Sequence, residues 1–128
     1  MEDIKKLGIP NVCFSLTDEN DDREIIFSQQ RKDRGFDDSE TWSLRDTIGK
    51  FTLPRLKRFR EITPTHSDTP EYPGELSRTE WLELLDKMII AFELLVRDKG
   101  TFILNGKEEK QYKEGMDLFH KHFLGLWW

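Results

Sequence analysis

Apolar positions between Ser77 and Gly100 recur at three- and four-residue steps: Trp81, Leu84, Leu85, Met88, Ile89, Phe92, Leu95 and Val96. At about 100° per residue they form one wide stripe, so the segment predicts a helix whose stripe is buried. Ser77 with Glu80 three residues on is a capping box, and Gly100 after Arg97 and Lys99 suits a left-handed C-cap. Glu83 with Lys87, and Glu93 with Arg97, stand four apart in the favourable acid-first order for pairs along the helix. Two apolar residues, Ile90 and Leu94, fall on the otherwise polar side. They are either covered by the N-terminal segment or form a second contact surface for self-association.

A second helix follows Asp37, which with Glu40 can cap an acid-rich first turn. Leu44, Ile48, Phe51, Phe59 and Ile62 share its face, and Pro54 inside the run removes the hydrogen bond to the Lys50 carbonyl, predicting a kink or two abutting helices. A third helix runs from about Lys107 to the chain end, with Tyr112, Met116, Phe119, Phe123, Leu126 and Trp127 in one seam that packs on the central helix. Gly115 at its border allows close approach.

The remaining segments carry weaker patterns. Val12, Phe14 and Leu16 alternate, which fits a short strand or an extended arm, and Asp18 to Asp22 form a solvated turn. Residues 23–34 read as a short helix closed by Gly35, although Ile25, Ile26 and Phe27 would serve a strand as well. Pro64, Pro70, Pro73 and Gly74 make residues 63–76 a loop. Asn105-Gly106, after the apolar run Thr101 to Leu104, is a tight-turn signal, and that run is read as a loop with a strand able to pair with the N-terminal arm. The expected architecture is mainly α: a compact bundle of three to four helices, one kinked at Pro54, with residues 1–22 as an irregular arm and 23–128 as a single helical domain.

Composition narrows the class. The 128 residues suit one domain, and 12% aromatic residues with three amphipathic segments exclude a disordered chain. Twenty basic against 25 acidic residues leave a net charge of -5, which argues against nonspecific nucleic-acid binding. The balance is uneven, with residues 39–63 carrying 6 basic and 3 acidic residues, a basic island in an acidic chain. Cys13 is the only cysteine, so no internal disulfide and no cysteine zinc cluster can form. No signal peptide and no membrane span is indicated.

Candidate chemistry is sparse. Arg55 would fall at the centre of the apolar face of an unbroken second helix. Buried there it would require a carboxylate or phosphate, whereas a shift of helical phase at the kink would let it reach solvent. Lys50, Lys57 and Arg60 share the polar side, a stripe that pairs with acidic neighbours or stays solvated. His66 stands alone in a loop. His120 and His122 diverge around their helix, a poor spacing for metal. No Ser/His/Asp set, phosphate loop, metal cluster or reactive Cys/His pair is present, so neither a cofactor nor a catalytic residue is assigned.

The run Gln30 to Leu44, containing Arg34-Gly35-Phe36-Asp37 and Thr41-Trp42-Ser43-Leu44, and the run Glu80 to Glu93, with Trp81 leading Leu85-Asp86-Lys87-Met88-Ile89, resemble a group of small proteins encoded by tailed bacteriophages. The resemblance covers residues 28–98 and, weakly, the last helix. Members usually carry an acid after the Thr-Trp-Ser-Leu unit, where this chain has Arg45 before Asp46. The resemblance implies a viral origin and work in the host cytoplasm; it supplies no active site.

Physically, Gly35 turns the chain, Asp37 or Asp38 caps, and the preceding arm can cover Trp42. The alternative is a ligand cleft in which a planar base stacks on Trp42 while Arg31 and Arg34 meet a phosphate. The functional expectation is a non-catalytic binding module, a homo-oligomer capturing a host protein or a small anionic, nucleotide-like ligand. Arg31, Arg34, Trp42 and Arg55 are its ligand candidates, and Ile90, Leu94 and Trp128 its interface candidates. The alternatives are a structural or assembly protein of the virion, and a hydrolase without a legible motif.

Overall fold

A computed structural model describes residues 2–63, 76–97 and 102–127. The fold is mainly helical, and the described residues include no strand. Four α-helices appear, α1 (Glu24–Arg34), α2 (Leu44–Ile62), α3 (Arg78–Arg97) and α4 (Gly106–Lys121), with short 3-10 turns at Ile4–Leu7, Asp38–Thr41 and Phe123–Gly125. The chain separates into two compact units, Met1–Phe51 and Thr52–Trp128, and residues 1–22 lie inside the first. The division falls within α2, where Pro54 has no N–H to give the Lys50 carbonyl; the helix nevertheless runs as one element rather than two.

In the first unit α1 ends as expected. Gly35 takes a left-handed φ of 90° and its N–H donates to the Arg31 carbonyl. The Asp37 and Glu40 capping box forms, but it starts the 3-10 turn at Asp38–Thr41, and α2 begins only at Leu44. The alternating Val12, Phe14, Leu16 stretch finds no partner strand among the described residues. Its backbone is satisfied by side chains instead: the Phe14 N–H donates to Glu40 Oε1 (2.9 Å) and the Leu16 N–H to Ser39 Oγ (2.8 Å).

The second unit is built on α3. The Ser77 box closes with both bonds, Ser77 N–H to Glu80 Oε1 at 3.1 Å and Glu80 N–H to Ser77 Oγ at 3.2 Å. Trp81, Leu85, Met88, Ile89, Phe92 and Leu95 are buried with Leu56 of α2, and Leu53, Phe59, Tyr112, Met116 and Phe119 pack around them. On α2 Gly49 and Leu56 are buried, while Leu44, Ile48, Phe51 and Arg55 are exposed. Arg55 is therefore not at the centre of a buried face; the covered side of this part of α2 is the one that carries Leu56.

The structure refines other expectations. The ion pairs of α3 run between helices: Lys57 with Glu93 (3.1 Å), Lys87 with Glu114 (2.8 Å), and Arg97 with Glu108, because both flanks of α3 face a neighbouring helix. Arg60 forks onto Asp86, so much of the basic stripe is matched to α3 carboxylates. Asn105-Gly106 is a helix start rather than a separate tight turn, and α4 begins within one residue of the expected Lys107, since Asn105 Oδ1 accepts from Glu108 N–H (2.9 Å) and Glu108 accepts from the Asn105 N–H (3.2 Å). The last helix stops at Lys121, and Phe123, Leu124 and Trp127 beyond it are exposed. The Gly100 cap, the loop with His66, and Trp128 lie outside the described residues.

Gly115 is where α3 and α4 touch. A Cβ there would stand 2.4 Å from the Lys87 carbonyl oxygen and 2.5 Å from Ala91 Cβ, so only glycine permits this approach.

Candidate functional site: a buried ion cluster and an apolar cleft in the first unit

The buried arginine of this chain is Arg31, at 0% exposure. Its guanidinium is held by three carboxylates from three places in the sequence. Asp3 takes a fork, with Nε to Oδ1 at 2.7 Å and Nη2 to Oδ2 at 3.1 Å, while Asp37 and Glu24 complete the set. Two of the acids are themselves supported, whereas Glu24 Oε2 is buried without a hydrogen-bond partner. Asp3 accepts from Ser28 Oγ (2.6 Å) and from the Lys5 N–H (3.0 Å), and Asp37 accepts from the Ser39 N–H (2.9 Å) and hydroxyl. Charge-assisted bonds of this density offset the desolvation of the four groups.

The carboxyl of Asp3 is held well below its ordinary value by the Arg31 guanidinium, against the opposing effect of burial. For Asp37 burial pushes upward, and the bonds from Ser15, Ser39 and Arg31 overcome it, so its carboxyl is also lowered. Asp3 and Asp37 are therefore anions at neutral pH, and with Arg31 so enclosed a phosphate would have to displace one of its carboxylates.

Arg34 donates to Asp38 (2.6 Å) and lies 4.3 Å from the Phe36 ring centroid. Trp42 is half-exposed, meets Phe27 edge-on at 6.0 Å, and carries the Arg23 guanidinium 4.8 Å from its ring centroid. Arg31, Arg34 and Trp42 are each engaged with different partners and do not converge on one opening. Arg55 belongs to the second unit and is exposed. Of the interface candidates Leu94 is buried, at 9%, and Ile90 is 37% exposed; both border a shallow groove with Leu53 and Val96 in the second unit.

What the pattern reading missed is an apolar cleft of about 410 Å³, lined chiefly by Val12, Phe14, Phe36, Leu44, Ile48 and Phe51. Leu44, Ile48 and Phe51 are 54%, 50% and 50% exposed, an unusual state for a helix stripe of this spacing. Glu40 forms part of the wall, but both its oxygens are taken, by the Phe14 and Asp37 N–H groups. The visible signal was the Leu44, Ile48, Phe51 series itself, read as core. That Val12 and Phe14 come to face it depends on contacts 23 to 26 residues apart, which no local pattern reports.

Among the described residues no group of His, Cys, Asp and Glu is arranged to hold a metal ion, and no helix is long and apolar enough to cross a membrane. Compared with protein-family models, curated proteins and solved structures, the chain finds no match.

Proposed function

We propose that this protein is a phage-encoded, non-catalytic binding module that works in the host cytoplasm and captures a host protein through the cleft of its first unit. The observation that carries the reading is the half-exposed Leu44, Ile48, Phe51 stripe facing Val12, Phe14 and Phe36 across about 410 Å³. A lining with little polar surface selects an apolar protein segment, such as one face of an amphipathic helix, over a charged metabolite. A nucleotide-like ligand is served less well, because the guanidinium of Arg31 is enclosed by acids and that of Arg34 is bonded to Asp38. The phage origin rests on the resemblance of the Arg34 to Leu44 and Trp81 to Ile89 motifs.

The exposed Phe123, Leu124 and Trp127 favour a second reading, a structural or assembly role in the virion, in which that surface would meet another subunit. The test is to isolate a partner from host lysate and measure its affinity by calorimetry. Ile48→Asp and Leu44→Asp should each weaken binding at least tenfold, since each removes apolar burial and places a charge in the cleft. A partner whose affinity ignores both substitutions refutes the assignment, and recovery of the chain in purified virions supports the assembly role.

A further inference from the structure

The N-terminal segment of the first unit is held in an unusual way. None of the residues in the 3-10 turn Ile4–Leu7 is buried, and Leu7, Ile9 and Val12 are all exposed. Against this, Asp3 is 2% exposed, and its carboxylate receives four donors: two guanidinium N–H groups of Arg31, the Ser28 hydroxyl and the Lys5 amide. The anchorage of this stretch is therefore concentrated in one acid, with the Lys5 Nζ bond to the Thr17 carbonyl beside it. Three of the four donors belong to α1 or its reach, and a forked guanidinium with a hydroxyl is the way proteins receive a ligand's carboxylate.

The receptor is built independently of its occupant. Glu24 and Asp37 would keep the guanidinium oriented if Asp3 left. Its Ser28 end borders an open cavity of about 480 Å³, lined also by Glu24, Lys6, Gln29, Lys32 and Glu19, while Arg31 itself is closed off as long as Asp3 is in place. At that mouth Lys6 and Lys32 are set against Glu19 and Glu24, so the lining carries no net charge to repel an anion.

We infer that the Arg31 and Ser28 pair is a carboxylate-binding site that the chain's own Asp3 occupies, so that residues 2–8 act as a removable plug. The competing ligand is a small carboxylate or an acidic side chain of another polypeptide. Because Asp3 is tethered, its local concentration is on the order of millimolar or above, and an outside carboxylate competes only when Asp3 is absent or the segment is drawn away.

The experiment uses the full chain with Asp3→Ala, and sodium acetate as the probe against sodium chloride at equal ionic strength. Trypsin cleavage after Lys5 or Lys6 should be at least tenfold faster in the variant than in the parent. Acetate should raise the melting temperature of the variant along a saturating curve and leave the parent unchanged. Adding Ser28→Ala should raise the half-saturating acetate concentration severalfold. Acetate acting no better than chloride, or equally on parent and variant, overturns the inference. If Asp3→Ala does not fold alone, refolding yield in acetate against chloride gives the same two outcomes.

Discussion

Replacing Gly115 by alanine tests the helix contact on which the second unit depends. A Cβ at this position would lie 2.4 Å from the Lys87 carbonyl oxygen, and ordinary contact starts at 3.4 Å, so α3 and α4 must part by about 1 Å. The obstacle is backbone, which cannot rotate aside, so the cost belongs at the upper end of overpacking, about 3 kcal/mol. Opening the seam also loosens Phe92 against Phe119, whose centroids are 4.9 Å apart.

Alanine returns about 1 kcal/mol in helix propensity, leaving a net loss of about 2 kcal/mol. For a unit of this size that is a fall of roughly 8–16 °C in Tm, read by circular dichroism. Gly106→Ala is the control. Nothing lies within 4 Å of its added Cβ, and it should be neutral or gain up to about 1 kcal/mol. Ala91→Gly in the Gly115→Ala background should recover only part of the loss, because the Lys87 carbonyl remains in the way. A Gly115→Ala protein as stable as the parent would refute the close approach.

Arg31→Met should cost about 3–5 kcal/mol in urea denaturation, because Asp3, Asp37 and Glu24 would be left together without their cation; Arg31→Lys should recover little, since an ammonium cannot fork. Asp3 and Asp37 have carboxyls lowered from the ordinary 3.8, so their contribution is complete above that value and is lost as pH falls below it; Asp3→Asn should flatten the acid limb of a stability curve between pH 5 and 2. Leu94→Ala should destabilise by about 2–3 kcal/mol and Ile90→Ala by less than 1 kcal/mol, since only Leu94 is buried; equal costs in thermal melts would show that both are covered in solution.

Local chemistry made several elements readable from the residues alone. The stripe from Trp81 to Leu95 sets α3 because burying a 3.6-residue repeat leaves few other conformations open. The Ser77 and Glu80 box and the Gly35 cap act over three or four residues, so their signals survive in any tertiary setting. Gly115, bordering the seam of α4, already marked a close approach for the same reason.

Where a residue's fate depends on what arrives from a distant part of the chain, the pattern was silent. Arg31 sits in the basic end of α1 and was a candidate to meet a ligand phosphate; Asp3, 28 residues away, makes it the centre of a buried cluster instead. Arg55 had the better pattern for burial, yet it is exposed, because the covered side of this part of α2 is the one that carries Leu56. Leu44, Ile48 and Phe51 have the spacing of a core stripe, yet they line an open cleft. Periodicity reports only that a face is apolar; whether the molecule itself covers that face is settled by long-range packing, and here the first unit leaves it half uncovered.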